Sequence, residues 1–373
     1  MVGSLTRTRS VGRRKLIIGA VGSYLFFQCD QGKAQARTGI DVLDAAAISV
    51  ANPSGVVLEA ITMAGQRLVV VGEHGVIAYS DDNGTHWTQA QVPVNVTLTC
   101  VAFATPMIGW AAGHFGVVLK TIDGGKSWDR QLDGLQANKL TLEAAQNIPA
   151  DEANLPTAPF ALKRAEIFMD GGANKPFLAL AVLSTSRVIA FGAYRMTMAT
   201  ADGGSTWSDV SLAVEDRFSN NLYDATIVGT DIFVVGEAGL VFRSTDDGAT
   251  FPQVASPGSV TLFGIVAARD GSILVYGVAG SVFRTVDAGV SWAQIEVPTQ
   301  DNLTAAKVLR SGEIVLASEA GDLFLSADNG TSFSPVSGAS PLSVFDIEQS
   351  TDGSLVMVGG AGVRKESINV IAP

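Results

Sequence analysis

Six aspartates recur along this 373-residue chain inside one short pattern, Ser/Thr-x-Asp-x-Gly-x-x-Trp/Phe: Asp82, Asp123, Asp202, Asp246, Asp287 and Asp328. A string of acidic turn residues suggests calcium binding, but each copy offers one dependable carboxylate where calcium takes about six to eight oxygens. The pattern suits architecture instead. Its Asp can accept hydrogen bonds from turn amides and its Gly can take a positive φ. Its aromatic residue, which is Trp87, Trp128, Trp207 or Trp292 in four copies, can pack between sheets. Two histidines, His74 and His114, occupy equivalent turns of neighbouring repeats. A metal between them would need further ligands, of which Glu73 is the one evident supplier, so they read as polar turn residues. No Ser-His-Asp set, phosphate-binding loop or dinucleotide fingerprint is present, and no metal or cofactor is implied.

The elements that position these residues follow from their spacing. The boxed aspartates lie 41, 79, 44, 41 and 41 residues apart, a single period with one long gap. Upstream of each box stands a Gly-x-x-Gly turn between apolar runs, as at Gly72–Gly75, Gly113–Gly116, Gly236–Gly239 and Gly277–Gly280. Degenerate copies are Gly192-Ala193-Tyr194-Arg195 and Ser318-Glu319-Ala320-Gly321, and a seventh, Gly359–Gly362, has no box after it. Within one period, residues 98–104, 108–112, 117–121 and 127–131 read as four strands. Four strands per repeat of about 41 residues predict a β-propeller blade, and seven repeats predict a closed, all-β, seven-bladed ring. The seventh unit lacks a fourth strand, so the segment near Ile40–Ser49 is expected to pair there and close the ring. The long gap is an insertion at about 133–176 between blades 2 and 3. Helices are expected at 138–147 and 159–169, the second opened by Pro159.

The N-terminus is expected to be a leader rather than part of the fold. Arg7, Arg9, Arg13, Arg14 and Lys15 precede an apolar run from Leu16 to Phe27, and Ala34 and Ala36 have the spacing of a cleavage site. The surroundings of Arg13-Arg14 favour the general secretory route over the twin-arginine route. Removal of residues 1–36 leaves 19 basic and 35 acidic residues, a net charge of −16. Such a surface disfavours nucleic acid and anionic lipid. Cys100 alone remains, so no intrachain disulfide can form. The expectation is an exported, periplasmic propeller that is not inserted in the membrane once the leader is cut.

The boxes, the runs Gly236–Ser244 and Gly277–Thr285, and the period together resemble the photosystem II stability/assembly factor-like family of BNR-repeat propellers. The likeness covers roughly residues 50–366. Residues 161–166 and 174–178 look like its non-photosynthetic bacterial branch. The resemblance implies a protein-binding role. Photosynthetic members hold a reaction-centre subunit through an arginine-lined patch, and some bacterial relatives are linked with inner-membrane RND-type transporters. The patch carries over in part: Arg243 and Arg284 match, Lys120 replaces an Arg, and Tyr79, Ala199 and Leu325 break the series. These residues stand equally well as a solvated blade edge.

Asp-box propellers also include sialidases, which need three convergent arginines, a Tyr nucleophile with a Glu, and an Asp acid. No such set stands apart from the repeats, because Phe242-Arg243-Ser244 and Phe283-Arg284-Thr285 are repeat positions. The function read here is therefore a non-enzymatic binding and assembly propeller, with a carbohydrate-active propeller, hydrolase or lectin, as the alternative. Its expected binding face carries the Gly-x-x-Gly turns, with Glu73, His74, His114, Phe115, Tyr194, Arg195, Glu237 and Glu319. The insertion around Phe160–Phe168 is expected to roof it.

Overall fold

The second strand of every repeat is an apolar run with no polar side, such as Leu68–Val71 or Val188–Phe191, and so needs cover on both faces. A computed structural model of the chain, which describes residues 41–150, 152–336 and 342–367, shows how that cover arises. Seven antiparallel sheets form from consecutive chain. Blade 1 comprises Leu58–Ala64, Arg67–Gly72, Ile77–Ser80 and Thr88–Gln89; blade 2 comprises Leu98–Phe103, Gly109–Gly113, Val118–Thr121 and Asp129–Leu132. Blade 3 comprises Phe177–Val182, Val188–Gly192, Thr197–Thr200 and Ser208–Asp209; blade 4 comprises Leu222–Val228, Asp231–Gly236 and Val241–Ser244. Blade 5 comprises Leu262–Ala267, Ile273–Gly277, Val282–Thr285 and Ala293–Ile295; blade 6 comprises Leu303–Val308, Ile314–Ser318, Leu323–Ser326 and Ser334–Pro335. Blade 7 comprises Asp346–Gln349, Leu355–Gly359 and Gly362–Glu366. Each innermost strand touches the next, and the first touches the seventh, so the sheets form a ring.

Hydrophobic clusters fill the spaces between blades, and the box aromatic always joins the cluster shared with the preceding blade. Trp128 packs with Val69 and Ile77 of blade 1, and Phe251 with Ile189 and Phe191 of blade 3. Trp87 packs with Val356 and Val358 of blade 7, which makes the same contact across the point of closure.

The closing strand expected near Ile40–Ser49 does not form on blade 7. Asp41–Asp44 make a single helical turn (α1), and the chain then runs extended along blade 1. Asn95 N donates to Val42 O at 2.8 Å, Ala47 N to Val92 O at 3.0 Å and Ile48 N to His74 O at 3.3 Å. Burial of Leu43 with Val94, Val96 and Val117 favours this route, whereas the outermost described strand of blade 7 offers the charged Arg364, Lys365 and Glu366. The expected leader, residues 1–36, lies outside the described residues.

The insertion is two helices between blades 2 and 3, α2 (Gly134–Gln146) and α3 (Ala158–Gly171). α2 starts earlier than expected because Asp133 and Gln136 cap its first amides reciprocally. Asn138 Nδ2 donates to Phe168 O at 2.9 Å and to Gly172 O at 3.0 Å, which ties the two helices together. No helix among the described residues is long and apolar enough to cross a membrane.

Candidate functional site

The box corners spend their polar atoms on themselves. The hydroxyl two residues before each Asp donates to its Oδ1, as from Ser80 to Asp82 at 2.8 Å and Thr200 to Asp202 at 2.9 Å. The same hydroxyl accepts the box glycine's amide, at 2.9 Å for Gly84 and Gly204. The residue after each Asp is left-handed, including Asn83, Asp247, Ala288 and Asn329 at φ 55–59°. Hydrogen bonds from the Thr206 side chain and amide hold Asp202 down at about 2, and the Ser291 and Thr285 hydroxyls do the same for Asp287. Among the described residues no group of three His, Cys, Asp or Glu side chains could hold a metal ion.

These corners also receive the cations that the family resemblance singled out. Lys120 Nζ of blade 2 donates to Gly203 O of blade 3 at 2.7 Å, and Arg284 Nε of blade 5 to Asn329 O of blade 6 at 2.8 Å. Arg67 reaches Gly124 O at 2.9 Å, and Arg187 reaches Asp247 O, in the same blade-to-blade sense. Arg243 instead pairs with Asp231 of its own hairpin at 2.6 Å. Lys120, Arg243 and Arg284 thus serve the corner end of the ring, and Arg195 lies at the opposite, turn end of blade 3. The structure does not bring the four together.

On the turn face, the second variable residue sits in left-handed geometry in the turns of blades 1 to 5, with His74, Phe115 and Tyr194 at φ 55–57°. The closing glycine is required by what crosses it. A Cβ on Gly75 would lie 2.0 Å from Val94 O, and one on Gly239 would lie 2.0 Å from Gly258 O. At this position blade 3 carries Arg195, at φ 60° and 1% exposed. Its guanidinium turns under the insertion, where Nη1 donates to Val214 O at 3.1 Å. Arg164 of α3 donates to Arg195 O at 3.4 Å and approaches Asp209 at 3.8 Å, and Asp209 also accepts from Thr141 of α2 at 2.5 Å. Burial and the neighbouring Arg164 lower the Arg195 pKa to about 10, and Asp216 and Asp209 offset part of this. A buried set of two cations and two anions therefore pins the insertion to blade 3.

The other turn residues have local partners. His74 Nδ1 meets Asn95 Oδ1 at 3.3 Å, and burial pushes the His114 pKa down. Phe115 packs into the cluster that holds Leu43. Glu237 accepts from Asn221 at 2.9 and 3.1 Å, and Glu319 from Asn302 at 3.0 Å. Tyr194 is 56% exposed, edge-on to Phe168 with 6.4 Å between centroids. Sequence reasoning missed Phe218, which is 88% exposed at the tip of the loop leading to blade 4. Asp216 organises the loop: it accepts Phe218 N at 2.9 Å and Asn220 N at 2.5 Å, around Ser219 at φ 55°. Beside it lies a pocket of about 430 Å³ lined by Pro156, Arg217, Phe218, Ala238, Leu240 and Gln253.

Sequence reasoning also missed the central channel, of about 520 Å³, enclosed by the innermost strands. Each of these strands has a sheet neighbour on one edge only, so amides of its other edge need partners. Asp224 accepts Ile265 N of blade 5 at 3.0 Å and its neighbour Ala225 N at 2.8 Å. Asp346 accepts Ile61 N of blade 1 at 2.9 Å and Ile347 N at 2.8 Å. The Tyr276 hydroxyl takes the Ala306 amide, crossing the space where a Cβ on Gly264 would lie 2.1 Å from it. Burial raises Asp224 to about 7 and Asp346 to about 6, against the pull of the amides. Burial also raises Glu59, with help from Glu73, and Lys307 pairs with Glu348 at 2.7 Å. Among the described residues no arginine lines the channel, so they do not assemble the arginine triad of a sialidase there. The signal was in the alignment of repeats: where Asp224 and Asp346 stand, the other blades carry Ala60, Cys100, Ala179, Gly264 and Ala305.

Comparison with known proteins places these features in context. The family profile described as Photosynthesis system II assembly factor YCF48 matches residues 83–153 and 170–367. A search of curated protein sequences found no match. Among solved structures, a YCF48 bound to D1 peptide superposes with a TM-score of 0.61 at 16% identity, covering 87% of this chain and 96% of that one. YCF48 from Cyanidioschyzon merolae gives 0.61 at 14%, covering 86% and 97%. A GH74 enzyme from Niastella koreensis also gives 0.61 at 15%, with 87% of this chain covering 54% of that one.

Proposed function

Because the chain belongs to the Photosynthesis system II assembly factor YCF48 family, we propose that it is a non-enzymatic binding and assembly propeller, exported to the periplasm, that recognises a membrane or envelope protein through its turn face. The observation that carries this reading is the exposed Phe218 beside the 430 Å³ pocket, with the exposed Tyr194 on the adjoining turn, whose amide donates to Asn221 at 2.9 Å. An exposed aromatic on a hydrogen-bonded loop next to a mixed pocket is the composition of an interface hot spot, since the backbone that carries it is already ordered. A relative of the same fold is bound to a D1 peptide, which supports a protein partner. An inner-membrane complex, such as an RND-type transporter, is the first class to try.

The test is capture from detergent-solubilised membranes of the native host, with immobilised wild-type protein beside Phe218→Ala and Tyr194→Ala. The expected result is one protein retained by wild type and lost, or cut about tenfold, in both variants. Equal capture by all three overturns the proposed epitope. The rival reading, a carbohydrate-active propeller, draws on the GH74 likeness and on two channel carboxyls that titrate near neutral pH. It is the weaker one because both oxygens of each carboxyl already accept backbone amides. Release of reducing sugar from a polysaccharide by the purified protein, abolished in Asp224→Asn, would reverse that preference.

A further inference from the structure

α3 buries the wrong side of itself for a simple cover. Its stripe against the propeller is Ala161, Arg164, Ala165 and Phe168, mostly small or charged. Its large apolar residues point away: Phe160 is 53% exposed, Leu162 44%, Ile167 54% and Met169 40%. A helix that shows solvent four large hydrophobic side chains within ten residues carries an unpartnered face. Between its two apolar flanks runs a polar line containing Lys163 and Glu166, 75% and 51% exposed and 3.6 Å apart.

We propose that this outward face of α3 is a two-fold interface on which a second copy of the chain docks its own α3 antiparallel. The argument is self-complementarity, the condition that a dyad imposes on any surface that binds its own copy. With the dyad between Arg164 and Ala165, Lys163 faces Glu166 of the second copy, and Glu166 faces the second copy's Lys163. On one flank Phe160 meets Ile167 of the other chain, and on the opposite flank Leu162 meets Met169. Every exposed apolar side chain on the helix finds an apolar counterpart and each of these two charges finds its opposite. The residues pair at heptad spacing, as helices that pack side by side require.

Size sets the strength. A helix of 14 residues is about 21 Å long, so the contact is smaller than a standard stable interface and the dimer belongs in the micromolar range. This surface is distinct from the Phe218 epitope, so either proposal can fail alone.

Sedimentation equilibrium of the purified protein at about 1–100 μM tests it. Wild type is expected to dimerise, and Lys163→Glu and Glu166→Lys are each expected to weaken the dimer about tenfold by placing like charges together twice. An equimolar mixture of those two variants is expected to recover dimer, because each then presents the charge the other lacks. Ile167→Asp should abolish it, and as all these side chains are exposed, the folds are retained. A wild type that stays monomeric, a dimer indifferent to Ile167→Asp, or single variants that fail to complement each other would overturn the proposal.

Discussion

Aspartate appears in two rings of this molecule, and the two rings treat the same side chain in opposite ways. At the outer corners, Asp82, Asp202 and Asp287 stand in water and gather amides and hydroxyls, so the anion is favoured and their pKa values fall. In the channel, Asp224 and Asp346 each accept two amides, yet burial outweighs those bonds and their pKa values rise to about 7 and 6. The difference teaches that donors alone do not fix a carboxyl's charge. Two neutral amides supply less than the hydration that a buried anion gives up. Both sets serve architecture, one by shaping a turn and the other by covering exposed strand edges.

The largest effect expected from this contrast is at Asp346. Asp346→Ala should cost about 3 kcal/mol in urea unfolding, because two buried amides lose their acceptor. Alanine stands at the equivalent place in blades 1, 3 and 6, so sterics add nothing. A loss below about 1 kcal/mol would mean that the channel bonds are ornamental.

The pH profile separates the rings by sign. The channel acids, raised above the unfolded value of 3.8, stabilise the fold fully below that value and lose this contribution as pH rises through about 6 and 7. Each can contribute a slope of at most about 1.4 kcal/mol per pH unit in that window. The corner acids, lowered, contribute above 3.8 and lose it as pH falls. Thermal melts should therefore peak at roughly pH 4–5, and Asp346→Asn should flatten the decline toward neutrality. A flat profile from pH 4 to 7 in wild type would sink the channel assignment.

Smaller still, Asp123→Ala should cost about 1 kcal/mol, comparable to the loss of a helix cap, since one solvated turn loses its organising acceptor. A cost matching that of Asp346→Ala would erase the distinction between the rings. A last readout needs no substitution and concerns Cys100, which shares the channel register of Asp346 and whose thiol burial pushes up to about 12. Iodoacetamide at pH 8 should label it at least about a hundredfold more slowly in native protein than in urea. Equal rates would show that the channel is wetter than its carboxyls imply.

The repeat made the architecture legible, because strands, turns and corners recur within a few residues of one another. The insertion was legible for the same reason, with Pro159 and a helical pattern filling a gap in the period. What escaped was set by contacts between repeats. Arg195 reads as a surface residue because its turn is a surface turn; only the crossing chain, which forbids a side chain at Gly75 and Gly239, shows why a residue there must displace something or tuck beneath it. Asp224 and Asp346 are single departures from a small-residue position, and their partners Ile265 and Ile61 lie 41 and 285 residues away. Lys120 and Arg284 reach across to the next blade's corner. The strand expected from Ile40–Ser49 followed from an analogy of closure, and a slot for Leu43 on blade 1 decided otherwise.

The way the ring shuts has a consequence for how it is made. Each sheet consists of consecutive chain, and most contacts between sheets join residues about one repeat apart, so the propeller can assemble progressively with short loops to close. The contacts across the closure are the exceptions: the hydrogen bond from Ile61 to Asp346 spans 285 residues, and Trp87 packs against Val356 and Val358. The final act of folding is then the meeting of the first blade and the last, and a chain halted before Asp346 would hold most of its sheets with nothing to join their ends.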